Sequence, residues 1–203
     1  MLNFKKKLII IIIFLVQNSA YSYQPNEGNV SGGLGFFISQ NNSQNSNYEQ
    51  TNPVFGGFYL IFEGDLNSVG SLEIDLSYFQ KLFTREFSNQ FVAEKTEILN
   101  VNLGYRRWIS NKISIGLGFS SMYTIGEKSI IFSEFTPSNS PDTSASAIVK
   151  YGAEFSAQFE LWSNQYYSIF FDNRYNYSFS NKEKESADHF LHMIGFKQIF
   201  QSK

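Results

Sequence analysis

Apolar and polar residues alternate along Val149–Leu161. Val149, Tyr151, Ala153, Phe155, Ala157, Phe159 and Leu161 fall on one face, and Lys150, Gly152, Glu154, Ser156, Gln158 and Glu160 on the other. Successive side chains of a strand point to opposite faces, so this period predicts a two-faced strand; on a helix the same apolar residues would scatter around the whole circumference. Thirteen residues at about 3.3 Å each reach roughly 43 Å. Strands of soluble domains usually hold about 5–6 residues, whereas a tilted membrane-crossing strand needs about 9–11.

The same period of two recurs in Val30–Ser39, Val54–Phe62, Ser71–Lys81, Glu97–Trp108, Lys112–Ile125, Tyr166–Phe179 and His189–Phe200, which makes eight predicted strands. The connections alternate in character. Gln40–Asn52, Leu82–Lys95, Gly126–Ser146 and Ser180–Asp188 read as long loops; Glu63–Gly70, Ser110-Asn111 and Ser163–Gln165 read as short turns. Long loops at one end and short turns at the other are the pattern of transmembrane barrels. Volume decides which face is which. Eight strands enclose an interior just wide enough for side chains to fill. The Phe, Tyr, Leu and Ile faces are too bulky for it, while the faces rich in Gly, Ser and Asn fit. The predicted fold is all-β: an eight-stranded antiparallel up-and-down transmembrane β-barrel, its aromatic face turned to lipid.

The N-terminus supports export. Lys5-Lys6-Lys7 precedes the apolar run Leu8–Val16, which is too short to span a bilayer as a helix, and Ala20-Tyr21-Ser22 fits a small-x-small cleavage site. Residues 1–22 are expected to be a cleaved signal peptide and residues 23–203 the barrel. The chain has 16 Lys+Arg and 18 Asp+Glu. Loss of the three N-terminal lysines leaves 13 against 18, a mature charge near −5 that argues against nucleic acid as a partner. There are no cysteines, and mean hydropathy is −0.23 because apolar and polar positions cancel along each strand.

With its strand number, the glycine-dotted first strand Gly32-Gly33-Leu34-Gly35, the segment Leu103-Gly104-Tyr105-Arg106 and an aromatic last strand carrying Ile194, Phe196 and Phe200, the chain resembles the small outer-membrane barrels of Gram-negative bacteria. That superfamily includes the membrane domain of outer membrane protein A and the opacity and attachment-type surface proteins. Gln198 departs from its terminal pattern, and Gln201-Ser202-Lys203 extend past the final aromatic. The resemblance implies the cell outer membrane as location, outer-membrane lipid as surroundings, and a monomer whose loops can meet an extracellular ligand or host surface.

Glu73, Asp75, Arg106, Lys150, Glu154, Glu160, Asp172 and Arg174 lie on the predicted luminal face. An isolated buried charge is very costly, so these are expected to pair into a luminal ion-pair network that plugs the barrel; the alternative is a narrow gated ion path. Acyl-transfer chemistry, which some outer-membrane barrels perform, needs a His with a Ser or carboxylate partner. The only histidines are His189 and His192, and alternation turns His192 outward beside Phe190 and Ile194. No catalytic residue, cofactor site or metal motif emerges. The loops hold Phe87, Phe91, Ile130, Ile131, Phe132 and Phe135 among polar residues, which read as extended hairpins or as a contact patch; the partial alternation of Lys128–Phe135 favours hairpins. The function expected is non-enzymatic: a structural or surface-recognition barrel, with a narrow pore as the alternative and a lipid-modifying enzyme as the least favoured.

Overall fold

The computed structural model describes residues 23–41, 49–51, 54–87, 90–134, 149–179 and 188–202. The predicted signal peptide, Phe135 and most of the loop residues lie outside them. The strands are β1 (Val30–Asn41), β2 (Glu49–Thr51), β3 (Val54–Asp65), β4 (Gly70–Phe87), β5 (Gln90–Ser110), β6 (Ile113–Ser133), β7 (Lys150–Ser163), β8 (Tyr167–Ser178) and β9 (His189–Phe200). Eight of them pair antiparallel in a closed ring, β1-β3-β4-β5-β6-β7-β8-β9, and β9 returns to β1 with Val30 opposite Phe200. β2 is a short addition on the far end of β4, running from Glu49↔Arg85 to Thr51↔Phe83. Closure leaves no unpaired barrel edge, the only arrangement in which strands can cross lipid.

The aromatic face points out. Phe155 is 53% exposed and its neighbour Glu154 2%. The same contrast runs along the other barrel strands, with Leu34, Phe58, Leu103 and Leu117 outward. Two belts of exposed aromatics frame this apolar surface: Tyr105, Trp162, Tyr166 and Tyr167 near the short turns, Tyr78, Tyr123, Tyr151 and Tyr177 near the long loops. Tyr167 and Tyr177 stand ten residues apart on β8, about 33 Å of strand, which a tilt of about 40° reduces to a height of about 25 Å, the thickness of the apolar band of outer-membrane barrels.

Two expectations need correction. The alternation of Val149–Leu161 is broken at its end: a bulge between Glu160 and Trp162 leaves Leu161 half-buried and turns Trp162 outward. An extra residue on one strand shifts every later side chain by one position. The described parts of the expected loop Leu82–Lys95, residues 82–87 and 90–95, are strand. β4 and β5 pair in unbroken register from Gly70↔Arg107 to Phe87↔Gln90, and β6 follows β5 out to Ser133, well past Gly126. These three strands form a ledge beyond the upper aromatic belt, with Phe91 and Phe132 in contact across it at a ring separation of 6.1 Å. Above the bilayer neither face has to be apolar, so the alternation fades while the backbone ladder continues.

The interior is layered. At the turn end, Tyr23 packs on Trp108 at 5.1 Å, with Ile199 beside them. On the loop side lie Phe37, Phe55, Phe79, Ile98, Met122 and Leu191, with the Phe55 and Phe79 rings stacked at 4.5 Å. Most of the buried charges sit between these two groups, sharing the lumen with Tyr59, Ile61, Phe170 and Met193, which continue the loop-side cluster along β3, β8 and β9.

Candidate functional site

The charged layer is built from inward positions of six strands. Parity along β4 places Glu73 and Asp75 inside, β5 supplies Arg106, β7 Glu154 and Glu160, β8 Asp172 and Arg174, β3 Glu63 and β9 Lys197. All are at most 5% exposed.

Two arginines hold the layer together. The Arg106 Nε–H donates to Glu73 Oε2 at 2.7 Å, Nη1 to Ser114 Oγ at 3.1 Å, and Nη2 to Asp172 Oδ2 at 3.1 Å. Arg174 reaches further. Its Nη1 donates to Glu154 Oε1 at 2.8 Å and to Asp75, and lies 3.0 Å from Glu73 Oε1; its Nε and Nη2 both donate to Asp172 Oδ2, at 3.0 and 2.9 Å. Only a planar fork with five donors can serve carboxylates from three other strand positions and one on its own strand at once. Towards the turn end, Lys197 donates to Glu63 Oε2 at 2.9 Å and pairs with Glu160 Oε1 at 3.3 Å, its ammonium 4.7 Å from the Phe170 ring centre. Gln158 donates to Glu160 at 2.8 Å, and Ser168 donates to its other oxygen.

Glycine makes room for these long side chains. A Cβ on Gly33 would lie 2.7 Å from Lys197 Cγ, and one on Gly118 would strike the amide of Asn102. The glycines of β1 and β6 are the wall against which the polar side chains lie.

The turn-end layer closes the floor. The Tyr23 backbone N–H donates to Ser163 Oγ at 2.8 Å and its hydroxyl donates to Asp65, which also accepts from Ser71 at 2.6 Å; Trp108 Nε1–H donates to Ser71 at 3.2 Å. Burial, reinforced by the hydrogen bond to Asp65, holds the Tyr23 phenol well above its ordinary pKa, so it remains a donor.

Of the residues singled out from the sequence, Glu73, Asp75, Arg106, Glu154, Asp172 and Arg174 meet in one cluster, and Glu160 joins through Lys197. Lys150 stands apart from the cluster, half-buried at the outer start of β7, opposite Met122, with contacts of its own. Glu63 and Lys197 were missed. Both sit on inward parity, Glu63 in step with Tyr59 and Ile61, Lys197 with Leu191 and Met193. The histidines part ways. His189 is buried with its ring 6.3 Å from Phe55, and His192 faces outward with Nδ1 2.7 Å from Asn173 Oδ1. Asp188, next to His189, instead accepts from the Ser178 backbone N–H at 2.8 Å.

No linear spacing marks a metal motif, yet the fold assembles one carboxylate group among the described residues. Ligand atoms of Glu73, Asp75 and Glu154 lie within 4.8 Å of one another, around Arg174 Nη1.

No protein-family model and no curated protein sequence matches the chain. Solved structures do. The outer membrane protein OprG of Pseudomonas aeruginosa superposes with a TM-score of 0.64 at 12% identity, over 88% of this chain and 98% of that one. The attachment invasion locus protein Ail of Yersinia pestis superposes with a TM-score of 0.51 at 15% identity, over 86% and 99%, and its complex with the heparin analogue sucrose octasulfate with 0.53 at 16%. The fold is that of the small outer-membrane β-barrels. At such identities the likeness concerns the path of the chain, and function has to be argued from this barrel's own residues.

Proposed function

We propose that this is a non-enzymatic outer-membrane barrel with a closed lumen, an envelope scaffold that presents the β4–β5–β6 ledge and its neighbouring loops to the outside. One observation carries the reading: the ion-paired layer lies mostly between two apolar groups, and its charged side chains are at most 5% exposed. A conducting pore would line a continuous wet path with its charges, and eight strands leave little width for one.

The described part of the ledge exposes Phe91, Ile130, Ile131 and Phe132 among Glu86, Glu127, Glu134 and the half-exposed Lys95, an apolar patch that favours an apolar partner. The same reading takes residues 1–22 as a signal cleaved before Tyr23. Cleavage there would turn the Tyr23 nitrogen, already donating to Ser163, into the amino terminus at the floor of the barrel.

Two measurements test the proposal. The mature chain should fractionate with the outer membrane, begin at Tyr23 and shift on gels when boiled; recovery as a soluble periplasmic protein would refute it. In planar bilayers the purified barrel should show no steady conductance. Steady ion-selective channels would replace this reading with the narrow pore.

A further inference from the structure

The charged layer does not balance. Within this layer six buried carboxylates, those of Glu63, Glu73, Asp75, Glu154, Glu160 and Asp172, stand against the three cations Arg106, Arg174 and Lys197; Asp65 is buried apart from them at the floor, and Glu94 and Lys81 at the loop end. The layer therefore carries an excess of three negative charges when all are ionised, in surroundings where uncompensated charge is very costly.

The excess concentrates at one node. Glu73, Asp75 and Glu154 come from two strands, β4 and β7, and share a single cationic atom, Arg174 Nη1. Each of those contacts uses one oxygen. Asp75 Oδ1 and Glu154 Oε2 are left fully buried and without a hydrogen-bond partner. A second, uncharged group points to the same place. Asn102 donates through Nδ2 to Asp75 at 2.9 Å, which fixes its amide beside the node, and its Oδ1 is buried with no donor to accept from. That oxygen lies over Gly118, close enough that a Cβ there would collide with it, and Gly118 is the cross-strand neighbour of Glu154. The amide oxygen is thus turned from Asp75 toward β6, the strand that separates Asn102 from Glu154. A buried amide and carboxylates with spare oxygens form an all-oxygen donor set, with no nitrogen or sulfur among the ligands. Hard divalent cations select such sets, and calcium tolerates irregular geometry better than magnesium.

We propose that Asp75, Glu154 and Asn102 form a luminal binding site for a divalent cation, with calcium preferred, which offsets two of the three excess charges and ties β4, β5 and β7 together inside the barrel. Arg174 secures one oxygen of each carboxylate, and the cation would take the oxygens that Arg174 leaves.

The test uses the mature barrel refolded in zwitterionic detergent free of lipopolysaccharide, stripped with a chelator, and titrated calorimetrically with calcium and then magnesium chloride at neutral pH and physiological salt. The expected result is saturable binding of one calcium per chain, weaker binding of magnesium, and a higher thermal unfolding midpoint with calcium than with an equal ionic strength of sodium. Asn102→Ala, which changes no charge, and Glu154→Gln, which keeps an acceptor for Arg174, should each weaken calcium binding about tenfold or more, since affinity at such sites follows ligand number and charge. Absence of saturable binding in the unsubstituted barrel, with stability that rises as pH is lowered, would assign the compensation to protons and overturn the proposal, and this arm requires no variant to fold. Calcium binding of equal strength in both heat-modifiable variants would also overturn it. Neither outcome depends on whether the barrel conducts.

Discussion

Removing the Arg174 side chain tests the luminal network most directly. Its guanidinium touches Glu154, Asp75, Glu73 and Asp172, all at most 3% exposed, and no other cation reaches Glu154 or Asp75 among the ion pairs of the charged layer. Arg174→Ala therefore leaves two carboxylates without their cationic partner and weakens the hold on two more, which Arg106 still contacts. Breaking a buried pair by removing one partner typically costs about 3–5 kcal/mol. With a urea dependence of about 2 kcal/mol/M, that corresponds to a midpoint lowered by roughly 2 M. Arg174→Lys keeps a charge but gives up the fork, which cannot be replaced by one ammonium serving several directions, so it should fall between the two. The assay is reversible folding in lipid vesicles, followed by the gel shift between folded and boiled forms. Conductance should be recorded in parallel, because the vacated volume lies in the centre of the lumen. A midpoint within about 0.3 M of the unsubstituted barrel for Arg174→Ala, about 0.6 kcal/mol on the same slope, would mean that these ion pairs do not hold the interior together.

Three further outcomes are expected. Phe155→Arg, on the lipid face near mid-height, should cost about 2–4 kcal/mol in a folding titration in lipid, and Ser156→Ala, on the next residue but inward, much less; equal losses would reverse the assignment of faces. Gly195→Leu should abolish folding or lower stability by about 1–3 kcal/mol or more, because Tyr59 and Phe170 pack directly over that position, and a fully stable, heat-modifiable Gly195→Leu barrel would show that the interior is looser than its geometry. Tyr23→Phe removes the donor to Asp65 and should cost about 1.5–3 kcal/mol, the range for a hydrogen bond to a charged group; an unchanged unfolding midpoint would show that the N-terminal lead-in contributes nothing to the floor.

The outward face was legible because lipid enforces it: along β7 the outward residues Tyr151, Ala153, Phe155, Ala157 and Phe159 lack charge, so a period of two appears, while on β8 the outward Asn173 breaks it and finds its partner in His192 of β9. The network was legible in part for the same reason. Glu73, Asp75, Arg106, Glu154, Asp172 and Arg174 interrupt the apolar alternation from the other face. Lys197 escaped notice because the last strand draws attention to its outward residues Ile194, Phe196 and Phe200, and Glu63 because it borders the turn that follows β3. The inner apolar layer was illegible. Phe37 and Phe79 stand on faces otherwise made of Gly, Ser and acids, and which side chains they meet depends on strands far away in sequence, Phe55 and Ile98 among them. The β4–β5–β6 ledge was misread where the chain leaves the bilayer and the physical cause of the period ends. Gathering Asn102 with Asp75 and Glu154 depends on register between strands, which no local pattern encodes.

The seam between β1 and β9 bears on how the molecule is made. Val30 and Phe200 are 170 residues apart and face each other across the ring. The tail beyond fastens that seam again: Ser202 Oγ donates to the Glu27 carbonyl at 2.9 Å, and its N–H donates to Asn29 Oδ1 at 3.2 Å. A contact of such sequence separation forms late and slowly, because the loop entropy must be met before the pairing gives anything back. Until it forms, β1 and β9 are both open edges, each bearing large apolar side chains on one face and a row of unused backbone donors and acceptors. Any form of the chain in which this seam has not yet closed is therefore a sticky, incomplete sheet, and its fate is set by whatever keeps those two edges from other chains until β9 meets β1.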